Sequence, residues 1–264
     1  MAPPPIEAQI NVRPADWVSR VRAYQSQQSP HPIDLKLDAN EGPAPQDTGS
    51  FTNAPLNVYP DTGPLEARLA EIHGVDPSQV LVTNGGDDAI DRTCRVFLQP
   101  GRNLILPEPT FTMIRQYATI AGGEVRSVSW FDRDFPLAEI REASDANTTL
   151  VAFVSPNNPT GSTISVDEVR AVAEDVPQAA LLIDQAYAEF ENERTRDQQL
   201  TEVALRELPH AIVVRTFSKS FGLAGLRMGY ALGQPELIDW LRRAGSPYPV
   251  AGPALEIAME ALHG

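Results

Sequence analysis

Lysine is almost missing from this chain: Lys36 and Lys219 stand against nineteen arginines. Arginine supplies the bulk positive charge and stays protonated, whereas a retained lysine can lose its proton and act as an amine nucleophile. Cysteine is rarer still. A lone Cys94 excludes an internal disulfide, and inside a helical pattern it reads as a small buried hydrophobe of a reducing cytosol. The histidines His31, His73, His210 and His263 are scattered and lack metal-site spacing, so no metal is expected. Basic charge is deficient overall. A net charge of −14 argues against a nucleic-acid partner or an anionic membrane surface, yet leaves room for a small anionic ligand held by local arginines. No apolar run nears membrane-spanning length. The start, Met1-Ala2-Pro3-Pro4-Pro5, has neither an apolar core nor a basic lead; the expectation is a cytoplasmic protein without a signal peptide. No nucleophile elbow, thiol redox pair, dinucleotide fingerprint or P-loop is present.

What is present is globular: 42% hydrophobic and 21% charged residues over 264 positions, enough for one large domain or two smaller ones. Residues 1–12 read as a loose arm. Pro14, with Trp17, Val18, Val21 and Tyr24 at helical spacing, predicts a helix over 14–25. A short strand over 33–38, a proline-rich loop over 43–60 and a helix over 64–73 follow. From Val80 the pattern becomes strand, turn, helix. Strands are expected over 80–82, 104–106, 124–130, 150–154, 180–183, 211–214 and 230–233. Helices are expected after Asp88 and over 111–121, 166–174, 200–208, 236–243 and 254–262. Apolar strands alternating with helices predict an α/β fold with a mostly parallel sheet flanked by helices, and a ligand beyond the carboxyl ends of the strands.

Those ends carry the chemistry. Around Lys219, the hydroxyls of Thr216, Ser218 and Ser220, the glycines Gly222 and Gly225, and Arg227 have the makings of a phosphate site. A reactive amine beside a phosphate cradle suggests pyridoxal phosphate held as a Schiff base; a surface lysine in a glycine-rich loop is the plainer alternative. Thr83 to Asp88 contains Gly85, Gly86 and Asp87, which can present backbone donors at a helix start or simply cap it. Asp184 ends a buried strand and needs a partner there. A protonated pyridine nitrogen would serve; so would a helix cap or an ion pair. Tyr187 lies three residues on. Asn157 to Gly161 favours a turn, and Asn158 within it can donate an amide hydrogen to a phenolic oxygen.

With Asn158, Asp184, Tyr187, Lys219 and Arg227 in this order and spacing, the chain resembles the fold-type I pyridoxal-phosphate-dependent aminotransferases. Leu37 to Pro43, Tyr59-Pro60-Asp61 and Ser246-Pro247-Tyr248-Pro249 resemble more narrowly the histidinol-phosphate aminotransferase family. The resemblance implies a seven-stranded large domain over 46–245, preceded by an arm and the start of a small domain over 1–45. It implies that 246–264 begins the helix leading to a C-terminal small domain that this sequence lacks, so that the chain would bind cofactor yet transaminate poorly. Lys219 would hold the cofactor and shuttle the proton. Asp184 would pair with the pyridine nitrogen, Tyr187 and Asn158 would bond the phenolic oxygen, and Phe111 would stack on the ring. Gly85, Gly86, Asp87, Thr216, Ser218 and Arg227 would surround the phosphate. Tyr59 would reach a phosphate in the partner subunit of a homodimer, and Asn40 and Glu41 would lie near the substrate entrance. The reaction would pass an amino group from glutamate to imidazole acetol phosphate. A related aromatic aminotransferase, an amino-acid phosphate decarboxylase, or a cofactor-binding protein with little catalysis are the alternatives. Gly86 and Asp88 depart from the family's usual small hydroxyl or alanine and its glutamate, at the loss of at most one side-chain phosphate contact.

Overall fold

The structure, a computed structural model, describes residues 11–18, 56–131, 134–190 and 197–262. The strand expected over 33–38, Lys36, Asn40, Glu41 and the boundary expected near 45 lie outside the described residues.

The apolar runs form one sheet. In chain order its strands are β1 (Val80–Thr83), β2 (Asn103–Glu108), β3 (Glu124–Ser129), β4 (Thr148–Val154), β5 (Ala180–Asp184), β6 (Ala211–Thr216) and β7 (Gly229–Gly233). They lie side by side as β1-β7-β6-β5-β4-β2-β3. Only β7 runs against its neighbours, pairing antiparallel with both β1 and β6; the other pairs are parallel. The carboxyl ends of the remaining six strands therefore share one edge of the sheet.

The helix α1 (Gly63–His73) precedes the sheet; α2 (Gly85–Phe97), α3 (Thr112–Ile120), α4 (Leu137–Ala143), α5 (Val166–Asp175) and α6 (Asp197–Glu207) connect successive strands from β1 to β6; α7 (Pro235–Arg243) and α8 (Gly252–Ala261) follow β7. Strand side chains alternate between two separate cores, which is why β4 and β5 read as unbroken apolar runs. Leu150, Ala152, Val154, Leu182 and Val214 pack with Ile90 and Cys94 of α2, Ile114 of α3 and Leu237 and Leu241 of α7. Val151, Phe153, Leu181, Ile183 and Val213 pack on the other side with Leu65 and Leu69 of α1, Val169 of α5, Leu200 of α6 and Ala258 of α8.

Two local expectations bear comment. Most of the helix expected over 14–25 lies outside the described residues; within them, residues 11–15 carry no regular structure and a turn at Asp16 and Trp17 follows. Tertiary bonds hold the described part of this segment. The Ala15 amide donates to the Val96 carbonyl, and the Trp17 indole donates to the Arg95 carbonyl at 3.1 Å, so the segment is laid along the end of α2. The helix α4 was not anticipated. It has seven residues and one fully buried side chain, Ile140, too short to print a 3.6-residue pattern.

Candidate active site

Gly229 is the pivot of the edge that holds the site. It pairs with Thr83 at the end of β1 and with Thr216 at the end of β6. A Cβ there would stand 2.5 Å from the Gly85 carbonyl carbon and 2.7 Å from the Gly86 nitrogen. Only a residue without a side chain lets β7 approach the first turn of α2 so closely. That contact sets the α2 N-terminus between β1 and β6. Asn84 precedes the helix without a side-chain cap; instead its own amide donates to Asp88 Oδ2 at 3.0 Å. The opening amides of α2 thus face outward with the positive end of the helix dipole, an anion-binding arrangement.

Arg227 closes this cradle from the other side. Its backbone is left-handed, with φ 54°, an uncommon conformation for a residue other than glycine and one that marks a constrained turn. The guanidinium bonds Asp87 Oδ2 at 3.1 Å, the Ala224 carbonyl at 3.2 Å and Ser218 Oγ at 3.4 Å. Gly85, at φ 77°, leaves room for it: a Cβ there would lie 2.6 Å from Arg227 Nη2. Thr216 Oγ1 accepts the Ser218 amide at 3.1 Å and shapes the turn leading to Lys219.

The remaining groups enter from β4 and β5. Asn157 and Asn158 divide the work. Asn157 is buried and structural: its amide donates to the Pro109 carbonyl at 2.9 Å, and its oxygen accepts from Thr110 Oγ1 at 2.7 Å. It thereby ties the loop before Phe111 to the loop that presents Asn158. The Asn158 amide lies 3.5 Å from the Tyr187 hydroxyl, and the Lys219 ammonium stands over the Tyr187 ring, 5.2 Å from its centroid. Asp184 is buried at 4% exposure, with the Ala186 amide donating to its Oδ1 at 3.0 Å. Burial pushes its carboxyl up from 3.8 to about 6; the Asp87 charge adds to the rise, while the Ala186 bond and Lys219 oppose it.

Lys219, Asp184, Tyr187, Asn158, Gly86, Asp87, Phe111, Thr216, Ser218 and Arg227 all line a single cavity. Gly85 stands behind it, against Arg227. Tyr59 does not line it within one chain: its half-exposed ring stacks on Tyr248 with centroids 4.1 Å apart. The cavity also takes in Ile90, Val154 and Ala186, apolar residues that the sequence reading passed over. Ala186 was findable, since it sits on the short turn between Asp184 and Tyr187.

These residues fit pyridoxal phosphate. A buried carboxylate with one neutral donor and a raised pKa calls for a cation such as a pyridinium. Phe111 and Ala186 offer an aromatic and a methyl wall. The α2 N-terminus, Ser218 and Arg227 offer a phosphate cradle, and Lys219 offers an amine.

Fold and cavity together match the fold-type I pyridoxal-phosphate-dependent aminotransferases. The sequence profile of the aminotransferase class I and II family matches residues 25–264, and the chain belongs to that family. It is similar to a histidinol-phosphate aminotransferase of Pectobacterium carotovorum, 39% identical over 254 residues, an overlap covering 92% of this chain and 69% of that one. Among solved structures it resembles the histidinol-phosphate aminotransferase of Sinorhizobium meliloti in complex with pyridoxal-5'-phosphate (TM-score 0.71, 26% identity, 78% of this chain and 56% of that one). It also resembles the L-threonine-O-3-phosphate decarboxylase of Porphyromonas gingivalis (TM-score 0.64, 25% identity, 78% of this chain and 59% of that one). The chain thus spans a little over half the length of these two solved relatives.

Proposed function

We propose that this chain binds pyridoxal phosphate and serves transamination between L-glutamate and imidazole acetol phosphate, giving 2-oxoglutarate and histidinol phosphate in cytoplasmic histidine biosynthesis. The observation that carries the reading is Asp184: a buried carboxylate, set into the same cavity as Lys219, with no ion-pair partner among the described residues. Similarity to histidinol-phosphate aminotransferases supports the choice of substrate.

Bound pyridoxal phosphate supplies an electron sink and a carrier for the amino group. The Asp184 carboxylate holds the pyridine nitrogen protonated and gains a cation for its own buried charge. The Tyr187 hydroxyl and the Asn158 amide donate hydrogen bonds to the phenolic oxygen. The Phe111 ring covers one face of the pyridine. The Gly86 and Asp87 amides, Thr216 and Ser218 hydroxyls and the Arg227 guanidinium hold the phosphate. Lys219 Nζ would hold the cofactor and would serve as the general base that takes up and returns the substrate's Cα proton. In this reading the protein is a homodimer, and Tyr59 reaches from its place on Tyr248 to the partner's phosphate site.

A second reading, a phosphorylated amino-acid decarboxylase, is favoured by the resemblance to the Porphyromonas enzyme. Turnover assays separate the two. Glutamate-dependent formation of histidinol phosphate supports the proposal; release of carbon dioxide from an O-phospho amino acid without amino transfer supports the alternative.

A further inference from the structure

The turn that follows β5 has two sides. Its front presents Asp184 and Tyr187 to the cavity. Its back carries Gln185 and Glu189, and these join a polar network on the opposite face of the sheet, where Ile183 and Val213 pack. Gln185 is fully buried, and its side-chain oxygen accepts from Thr201 Oγ1 of α6. Thr201 Oγ1 in turn accepts from Arg215 Nη1 at 3.2 Å. Arg215 Nη2 is ion-paired with Glu189, with the arginine side chain 8% and the glutamate side chain 27% exposed. The loop closes through the backbone: Glu189 lies in the single helical turn Ala188–Phe190, and the Phe190 amide donates to the Tyr187 carbonyl at 3.1 Å.

Arg215 is also the residue before Thr216. One side chain thus ties the tip of β6, which leads to the phosphate cradle and Lys219, to the turn that aims Tyr187. A charged residue inside an otherwise apolar strand demands such a partner, because an unpaired buried guanidinium is costly. Among the described residues, Glu71, His73, Glu202, Arg206 and Tyr230 line the same cavity as this pair; Glu71 is ion-paired with Arg68 and Glu202 with Arg206, and the His73 ring nitrogen and the Tyr230 hydroxyl lie 3.1 Å apart. They bond each other rather than competing for Glu189. Burial first, and then the Arg215 charge, hold His73 down to about 4, so it brings no second cation to the network.

We infer that the Arg215–Glu189 ion pair, braced by Thr201 and Gln185, is a positioning device that fixes the Tyr187 hydroxyl against the cofactor's phenolic oxygen from behind the sheet. The inference rests on the reading of Tyr187 given above. Neither Arg215 nor Glu189 lines the cavity, so the pair acts through the turn and not by contact with cofactor. A hydrogen bond donated to an ionised oxygen favours that form. Losing the bond therefore raises the pH midpoint of the bound cofactor's visible absorbance.

The test is that midpoint, measured beside thermal unfolding in the cofactor-loaded protein, for Tyr187→Phe, Glu189→Gln and the double variant. Glu189→Gln is expected to raise the midpoint by about one unit, in the direction of Tyr187→Phe. The double variant is expected to move no further than Tyr187→Phe alone, the signature of two residues acting through one bond. Thr201→Val keeps the ion pair and the shape and supplies the test if Glu189→Gln does not fold; a smaller rise is expected. If these variants lower the melting temperature but leave the midpoint at the wild-type value while Tyr187→Phe moves it, the pair only holds the fold together and the inference is overturned. A midpoint that Tyr187→Phe itself leaves unchanged sinks the reading of Tyr187 instead.

Discussion

The Lys219 ammonium stands 5.2 Å from the centroid of the Tyr187 ring, over its face. Two residues 32 positions apart in the chain are brought together because β5 and β6 are neighbours and each ends on the same edge of the sheet. The contact joins the group proposed to anchor the cofactor to the group proposed to set the charge on its phenolic oxygen.

Asp184 ties the site to stability. Its carboxyl titrates near 6 in the folded chain against 3.8 unfolded, so the cofactor-free fold prefers it protonated. That preference is fully satisfied below pH 4 and is lost as pH rises through 6, leaving a penalty of about 3 kcal/mol. Asp184→Asn removes the ionisable group. Denaturant unfolding of the cofactor-free proteins should give nearly equal stabilities at pH 4 and a more stable variant at pH 8. With pyridoxal phosphate added the order should reverse at pH 8, because only the wild type gains a pyridinium partner. A variant no more stable than wild type at pH 8 without cofactor would contradict the account.

Gly229 governs the cradle by approach distance. In Gly229→Ala the new methyl meets backbone atoms at 2.5, 2.7 and 2.9 Å, which side-chain motion cannot relieve. The expected cost is about 1–3 kcal/mol of stability, with weaker cofactor binding because α2 is pushed away from β6. Urea unfolding and a cofactor titration check both. Gly225→Ala, where a Cβ meets nothing within 4 Å, is the control and should change neither.

Arg227 separates binding from folding. Its ion pair with Asp87 is roughly half exposed on both sides and contributes little to stability. Arg227→Ala should shift the melting temperature only slightly yet raise the dissociation constant for pyridoxal phosphate about tenfold or more. Binding of pyridoxal, which lacks the phosphate, should hardly change. Equal losses for both ligands would place the arginine elsewhere than on the phosphate.

Much of this was legible from residues that interrupt a pattern. Apolar runs ending in Asp184, in Thr216 or just before Asn158 gave away the edge of the sheet on which the ligand groups gather, since polar groups at the end of a buried strand need a reason to be there. The antiparallel course of β7 was not legible: Gly229 to Gly233 is short and apolar, and periodicity carries no direction. At 14–17, the described start of the helix expected from Pro14, docking on α2 outweighs local helical preference. The network behind the sheet escaped for another reason. Gln185 and Glu189 on the turn after β5, Thr201 on α6 and Arg215 on β6 come from three segments, and only pairing in space reveals that Arg215, inside an apolar strand, has its partner on the turn after Tyr187. Tyr59 shows the limit of a single chain: its stacking on Tyr248 is a contact that spacing cannot announce.

The central claim is that Lys219 is the amine that holds the cofactor, and the chain's poverty in lysine makes the measurement unusually clean. The protein should be incubated with pyridoxal phosphate, reduced with borohydride, digested and mapped by mass spectrometry, with Lys219→Ala treated alongside. The account predicts a visible absorbance band before reduction, a stable label on Lys219 afterwards, and neither in the variant. A label on Lys36, or no label on either lysine, would contradict it.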